Sequence, residues 1–156
     1  MHWSEPHISK TYEAIGAIGD DRVEVDGNTA KVYSSSRNKY YDVEWDPKTQ
    51  TISSNDNSSY WVGDLGYPSI ALLIVKDVIT CDSSLIAALS GFAWKDINQK
   101  YKNNFDKTVV EIRHILETER GIDIVDFDKK LDHVLTQVKA LKLKKPAKKK
   151  KPPAGY

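Results

Sequence analysis

Hydrophobic positions along this chain fall into blocks whose spacing changes from helical to alternating and back to helical. Ile8, Tyr12, Ile15 and Ile18 recur at intervals of four and three residues, which places them on one face of a helix. Ser4 is expected to cap that helix, Pro6 to sit in its first turn and Gly19 to end it. The period then switches to two. Val23 and Val25, followed by Ala30 and Val32, alternate with polar neighbours around Asp26-Gly27-Asn28, the composition of a tight hairpin turn. Tyr41, Val43 and Trp45 share one face of a third strand, with Tyr40, Asp42 and Glu44 on the other. Asp46-Pro47-Lys48-Thr49 suits a type I turn into a short strand around Thr51 and Ile52. Tyr60-Trp61-Val62 is expected to form a last short strand, which makes a small antiparallel meander of three to five strands.

The most apolar stretch runs from Gly63 to Ile79, and the six residues Ile70–Val75 contain no polar side chain. Pro68 fits the first turn of a helix there, because proline lacks an N–H that would have no partner at that position. A helix apolar on nearly every side must be covered on more than one. This segment is therefore the predicted centre of the fold. Beyond it, Asp82 is expected to cap a short helix carrying Leu85 and Leu89, and a further helix carries Trp94 and Ile97. Phe105, Val109, Ile112 and Leu116 define another, stopped near Gly121. The last, with Asp126 as its expected cap, bears a seam of Phe127, Leu131, Val134, Val138 and Leu141. The predicted class is α+β: a small β-meander packed against a cluster of about five helices around one buried central helix.

Charge divides the chain in two. Eight of the 23 basic residues lie between Lys139 and Tyr156 with no acidic residue among them, leaving 15 basic against all 22 acidic residues elsewhere, a net of −7. At 156 residues and 40% hydrophobic content, the chain supports one core. The expected division is a single α+β domain over residues 1–143 and a disordered Lys/Pro-rich tail over 144–156. The apolar run at Ile70 is broken by Lys76 and Asp77, short of the roughly 20 residues that cross a bilayer. With no signal-peptide pattern and a single cysteine, Cys81, the expectation is an intracellular, cytoplasmic protein without disulfides, without a membrane partner and without a cofactor.

Candidate chemistry is sparse. Lys144, Lys145, Lys148, Lys149, Lys150 and Lys151 form a lysine arm of the kind that neutralises phosphates without reading bases; a solvated tail folded onto the acidic body is the alternative. Tyr40, Tyr60 and Trp61 are candidates for stacking on the bases of a single strand; filling the core of a small sheet is the alternative role for aromatics in this region. Asp42, Glu44 and Asp46 share a strand face where they can gather a divalent cation or simply face water. Glu111 and His114 stand one turn apart on a predicted helix, but no second copy completes a di-iron set. No phosphate-cradling glycine loop or nucleophile elbow is present.

The order of features from Arg22 to Ile79, a hairpin, a Tyr-rich strand, a turn and a short strand leading to an apolar helix, resembles a SWIM-type zinc finger. Ile52-Ser53-Ser54 stands where that family has its first cysteines, and Tyr67-Pro68-Ser69-Ile70-Ala71-Leu72 where it has a cysteine, a variable residue and a histidine ahead of the helix. Every ligand is missing, so no metal position carries over; the resemblance implies a role in contacts with DNA or protein. The functional expectation is a non-enzymatic binding module that contacts nucleic acid, or a nucleic-acid-associated protein, through its basic tail. The alternative is a protein–protein interaction or oligomerisation module using the C-terminal amphipathic helix.

Overall fold

The computed structural model describes residues 1–154. Among them are six α-helices, α1 (Ile8–Gly19), α2 (Tyr67–Val75), α3 (Ser83–Ala88), α4 (Trp94–Lys100), α5 (Phe105–Thr118) and α6 (Ile124–Ala140). Four strands, β1 (Val23–Asp26), β2 (Thr29–Tyr33), β3 (Tyr40–Asp46) and β4 (Thr51–Ser54), form an antiparallel meander in chain order. The fold is α+β, as the period changes predict.

The register follows the alternation. Ala30 pairs with Val43, Val32 with Tyr41 and Trp45 with Ile52, so these six side chains point to one face, where all are buried. The opposite face carries exposed Glu24, Lys31, Asp42 and Glu44. The apolar face rests on α2, whose Ile70, Ala71, Leu72 and Leu73 have no accessible surface. On its other side α2 packs against α1, and α1 in turn against α3, α5 and α6. The apolar helix is thus enclosed between sheet and α1, while the remaining helices gather mainly on α1. The approach of α1 to α3 is close enough to require glycine, since a Cβ on Gly19 would stand 2.6 Å from the Ile86 carbonyl oxygen.

Local chemistry moves three expected boundaries. The first helix begins at Ile8 with His7 as its cap, whose Nδ1 accepts from the Ser9 amide at 3.0 Å; Ser4 instead pairs through its backbone with Gly63 and Leu65. The last helix starts at Ile124 because the Asp123 carboxylate, not that of Asp126, accepts from the Val125 and Asp126 amides. The expected strand at Tyr60-Trp61-Val62 is a single π-helical turn, Ser58–Val62. Its cause is Asp56: one carboxylate oxygen accepts from the Ser54 and Ser59 hydroxyls, both at 2.6 Å, and the other from the Ser59 amide at 3.1 Å, which curls the chain where an extended strand would run on.

The two ends of the chain are joined beside β4. Trp3 N–H donates to the Leu143 carbonyl at 3.0 Å, its indole N–H to the Ile52 carbonyl at 2.8 Å, and Lys145 N–H to the Met1 carbonyl at 2.8 Å. Lys144 donates to the Gln50 carbonyl and accepts from the Ile52 amide, covering the outer edge of β4. The expected boundary at residue 144 therefore falls within this seam, and residues 146–154 continue without helix or strand. The end of the expected disordered tail, Gly155 and Tyr156, lies outside the described residues.

Candidate binding cleft

The largest concentration of mixed chemistry is a cleft of about 490 Å³ between the sheet, the π turn and the helices. Helix α1 lays Lys10 and Glu13 along it, one turn apart; the β2–β3 connection brings Lys39, β3 brings Tyr41 and α4 brings Lys95. Asp56, Trp61 and Tyr67 close the other side. The three lysines are partly exposed, whereas Glu13, Asp56 and Tyr67 are buried. Cations thus stand at the rim and acids at the floor.

Packing holds this arrangement in place. Asp56 is fixed by its three hydrogen bonds to Ser54 at the end of β4 and Ser59 in the π turn, and it approaches α2 so closely that a Cβ on Gly66 would come within 2.6 Å of its Cγ. Only glycine fits there. Lys95 N–H donates to the Ser35 hydroxyl at 2.9 Å, tying α4 to the β2–β3 connection. Lys10 Nζ sits 4.0 Å from the centre of the Phe105 ring. Behind the floor, Arg22 is 1% exposed and donates from Nη1 to the Tyr33 carbonyl at 2.9 Å, with its charge 6.0 Å from the Tyr67 ring.

Burial dominates the electrostatics. It raises the Glu13 carboxyl above the usual range, and Asp56 adds to the rise while Lys10 and Arg22 oppose it. Tyr67 is pushed well above an ordinary phenol, by burial first and then by Glu13. Asp64, on the cleft wall, is raised by burial against the pull of Lys10 and Lys145. Lys39 is lowered by burial and by Lys95. Glu13 differs from its neighbour in one respect: Asp56 accepts three hydrogen bonds, whereas no hydrogen-bond donor among the described residues reaches the Glu13 carboxyl, which is 8% exposed and lines the cleft.

The residues singled out from sequence occupy different places. Trp61 is 71% exposed at the cleft rim and meets Tyr60 edge to face at 4.7 Å. Tyr40 lies on the outer face of the sheet, beside Tyr33 at 5.6 Å and under Lys31 Nζ at 4.9 Å, so the three stacking candidates do not form one surface. Of the lysine arm, Lys145 lies over Trp3, Lys149 donates to the Tyr60 carbonyl at 3.1 Å, and Lys150 pairs with Glu44 at 2.7 Å. Lys144 contributes through its backbone, and Lys148 and Lys151 are exposed. Asp42, Glu44 and Asp46 point to solvent, Glu111 accepts from Lys100 and Tyr101, and burial raises the Cys81 thiol to about 11. Among the described residues no group of three His, Cys, Asp or Glu side chains stands where it could hold a metal ion. Nor is any helix among them long and apolar enough to cross a membrane.

Glu13 is the floor residue that the sequence reading passes over. It is the one charged residue in the run Thr11-Tyr12-Glu13-Ala14-Ile15-Gly16-Ala17, all of which the fold buries.

No curated protein and no solved structure matches the chain. A family profile, that of the uncharacterised conserved protein UCP014422, matches residues 3–144. The match spans the body from Trp3 to Lys144, includes the whole cleft and stops short of Lys145–Lys151. The SWIM-type likeness finds no support in it. Since the profile covers the fold from one side of the terminal seam to the other, this chain belongs to the family of the uncharacterised conserved protein UCP014422.

Proposed function

We propose that the protein is a non-enzymatic binding module for single-stranded nucleic acid, with the cleft and its aromatic rim taking bases and the lysine arm taking phosphates. One observation carries this reading. The arm runs past the half-buried Tyr60 and the exposed Trp61, so that Lys149 lies against Tyr60 and Lys145 beside Gly63, on either side of Trp61 in the chain and next to the cleft. A strand lying along that strip meets cations and a stackable ring in alternation, the combination that sequence-tolerant single-strand binders use. The mixed floor and rim supply polar groups to a ring drawn inside, in a volume typical of sites for small ligands.

Two variants test the proposal. A chain ending after Lys145 keeps the seam at β4, and Trp61→Ala removes an exposed ring with little cost to the core. Binding of a fluorescent 12-nucleotide single strand is followed across a salt series. The shortened chain is expected to show a log-log salt slope reduced by about 0.7 for each phosphate it no longer neutralises. Trp61→Ala is expected to weaken binding by about 1–3 kcal/mol. If both variants keep the affinity and slope of the full chain, the proposal is wrong.

A further inference from the structure

Resting on that reading, we infer that the cleft selects the base it admits: Glu13 at the floor accepts the paired N–H donors of a guanine edge and discriminates against thymine and uracil. The argument begins with the carboxyl. Glu13 is only 8% exposed, lines the cleft and meets no hydrogen-bond donor among the described residues. A carboxyl largely withdrawn from water and given no donor by its surroundings is costly to ionise. The position becomes intelligible when a ligand brings donors to it.

The surroundings narrow the class of ligand. Tyr41 and Tyr67, whose rings meet at right angles 6.2 Å apart, give the inner cleft aromatic walls suited to a flat ring. Asp56 is less available to a ligand than Glu13, since its carboxylate already accepts three hydrogen bonds. Lys10, partly exposed at the rim one turn from Glu13, is a cation able to pair with a phosphate attached to that ring.

Guanine fits the carboxylate best among the bases. Its N1–H and 2-amino group are adjacent and parallel, matching the two oxygens of one carboxylate. Thymine and uracil present a single N–H flanked by carbonyl oxygens, which repel a carboxylate. A bidentate pairing of this kind discriminates by roughly 5- to 150-fold.

The test uses the full chain and a set of 12-nucleotide thymidine strands carrying one central guanine, inosine, adenine or cytosine. Affinities come from fluorescence anisotropy at fixed salt. A single guanine is expected to tighten binding at least fivefold over the all-thymidine strand. Inosine, which lacks only the 2-amino group, is expected to lose most of that gain. Glu13→Gln is expected to erase the guanine preference, so that the guanine strand binds no more tightly than the all-thymidine strand. The inosine comparison needs no variant, so it decides the question whether or not Glu13→Gln folds normally. If strands bind with salt dependence but all central bases are equivalent, the base-selecting role of Glu13 is overturned and the binding module stands. If no strand binds, both fall together.

Discussion

Glu13 is held with its charge opposed by its surroundings, and this has a measurable sign. Burial and Asp56 raise its carboxyl above the unfolded value, against Lys10 and Arg22. The folded state therefore binds the proton more tightly than the unfolded chain does. The resulting stabilisation is complete below the ordinary glutamate range, near pH 4.3, and is lost as pH rises through the folded value. Glu13→Gln removes this dependence. Its melting temperature should lie close to that of the parent at pH 4 and above it at pH 7 to 8, with each kcal/mol read as a shift of about 2–4 °C. A variant that melts lower than the parent throughout that upper range would show that the carboxyl is stabilised by a partner at its present position. Sequence pattern could not single out this residue, because helical periodicity marks Ile8, Tyr12, Ile15 and Ile18 as the inner face. It leaves Glu13 among positions normally given to solvent. The run from Thr11 to Ala17 became buried only because α2 covers one side of α1 and α3, α5 and α6 cover another.

At the scale of elements, legibility depended on whether the deciding interaction was local. The β1–β2 hairpin was readable because Gly27 supplies the positive φ, +60°, that the turn needs. The alternation in β3 was readable because one face is covered throughout, with Tyr41, Val43 and Trp45 inside. Helix α2 was readable from six apolar residues behind a proline. The π turn was not, since Tyr60-Trp61-Val62 has the composition of a strand and the hydrogen bonds that bend it come from Asp56 and two serines upstream. The cleft was illegible for the same reason at larger separation, as its walls come from segments that meet only in three dimensions. The α6 seam is readable: Phe127, Leu131, Val134 and Val138 are buried inside the chain and Leu141 is partly buried against the same core. Capping of α6 gives a clear comparison. Asp123→Ala should lower stability by about 1 kcal/mol, the cost of removing an N-cap. Asp126→Ala should cost no more than about 0.5 kcal/mol, because Asp126 makes only the exposed pair with Lys130 at 2.9 Å, four residues on. Equal destabilisation in a chemical denaturation series would mean that Asp126 shares the capping.

The whole molecule combines an acidic body with a cationic arm, and the terminal seam decides where one gives way to the other. A chain ending after Leu143 loses the two backbone bonds of Lys144 that cover β4 and the bond from Lys145 to Met1. A chain ending after Lys145 keeps all three. The shorter form should be less stable by about 1.5–4.5 kcal/mol at 0.5–1.5 kcal/mol per bond, and the longer one should match the parent. Past that point the arm is fastened weakly. Lys150 to Glu44 is a pair between two substantially exposed side chains, 41% and 58% accessible, so its contribution to stability is under about 1 kcal/mol. Its consequence for binding is larger in kind than in energy. On the proposed reading, a lysine paired with Glu44 must leave it before neutralising a phosphate, so the body would compete with nucleic acid for its own arm. Glu44→Gln should then leave the melting temperature nearly unchanged and tighten binding of a single strand at low salt. The gain should fade as ionic strength approaches 1 M, where charges are screened within about 3 Å. If Glu44→Gln binds no more tightly than the parent at 0.01 M salt, where screening extends over about 30 Å, the arm is not held in check by the sheet.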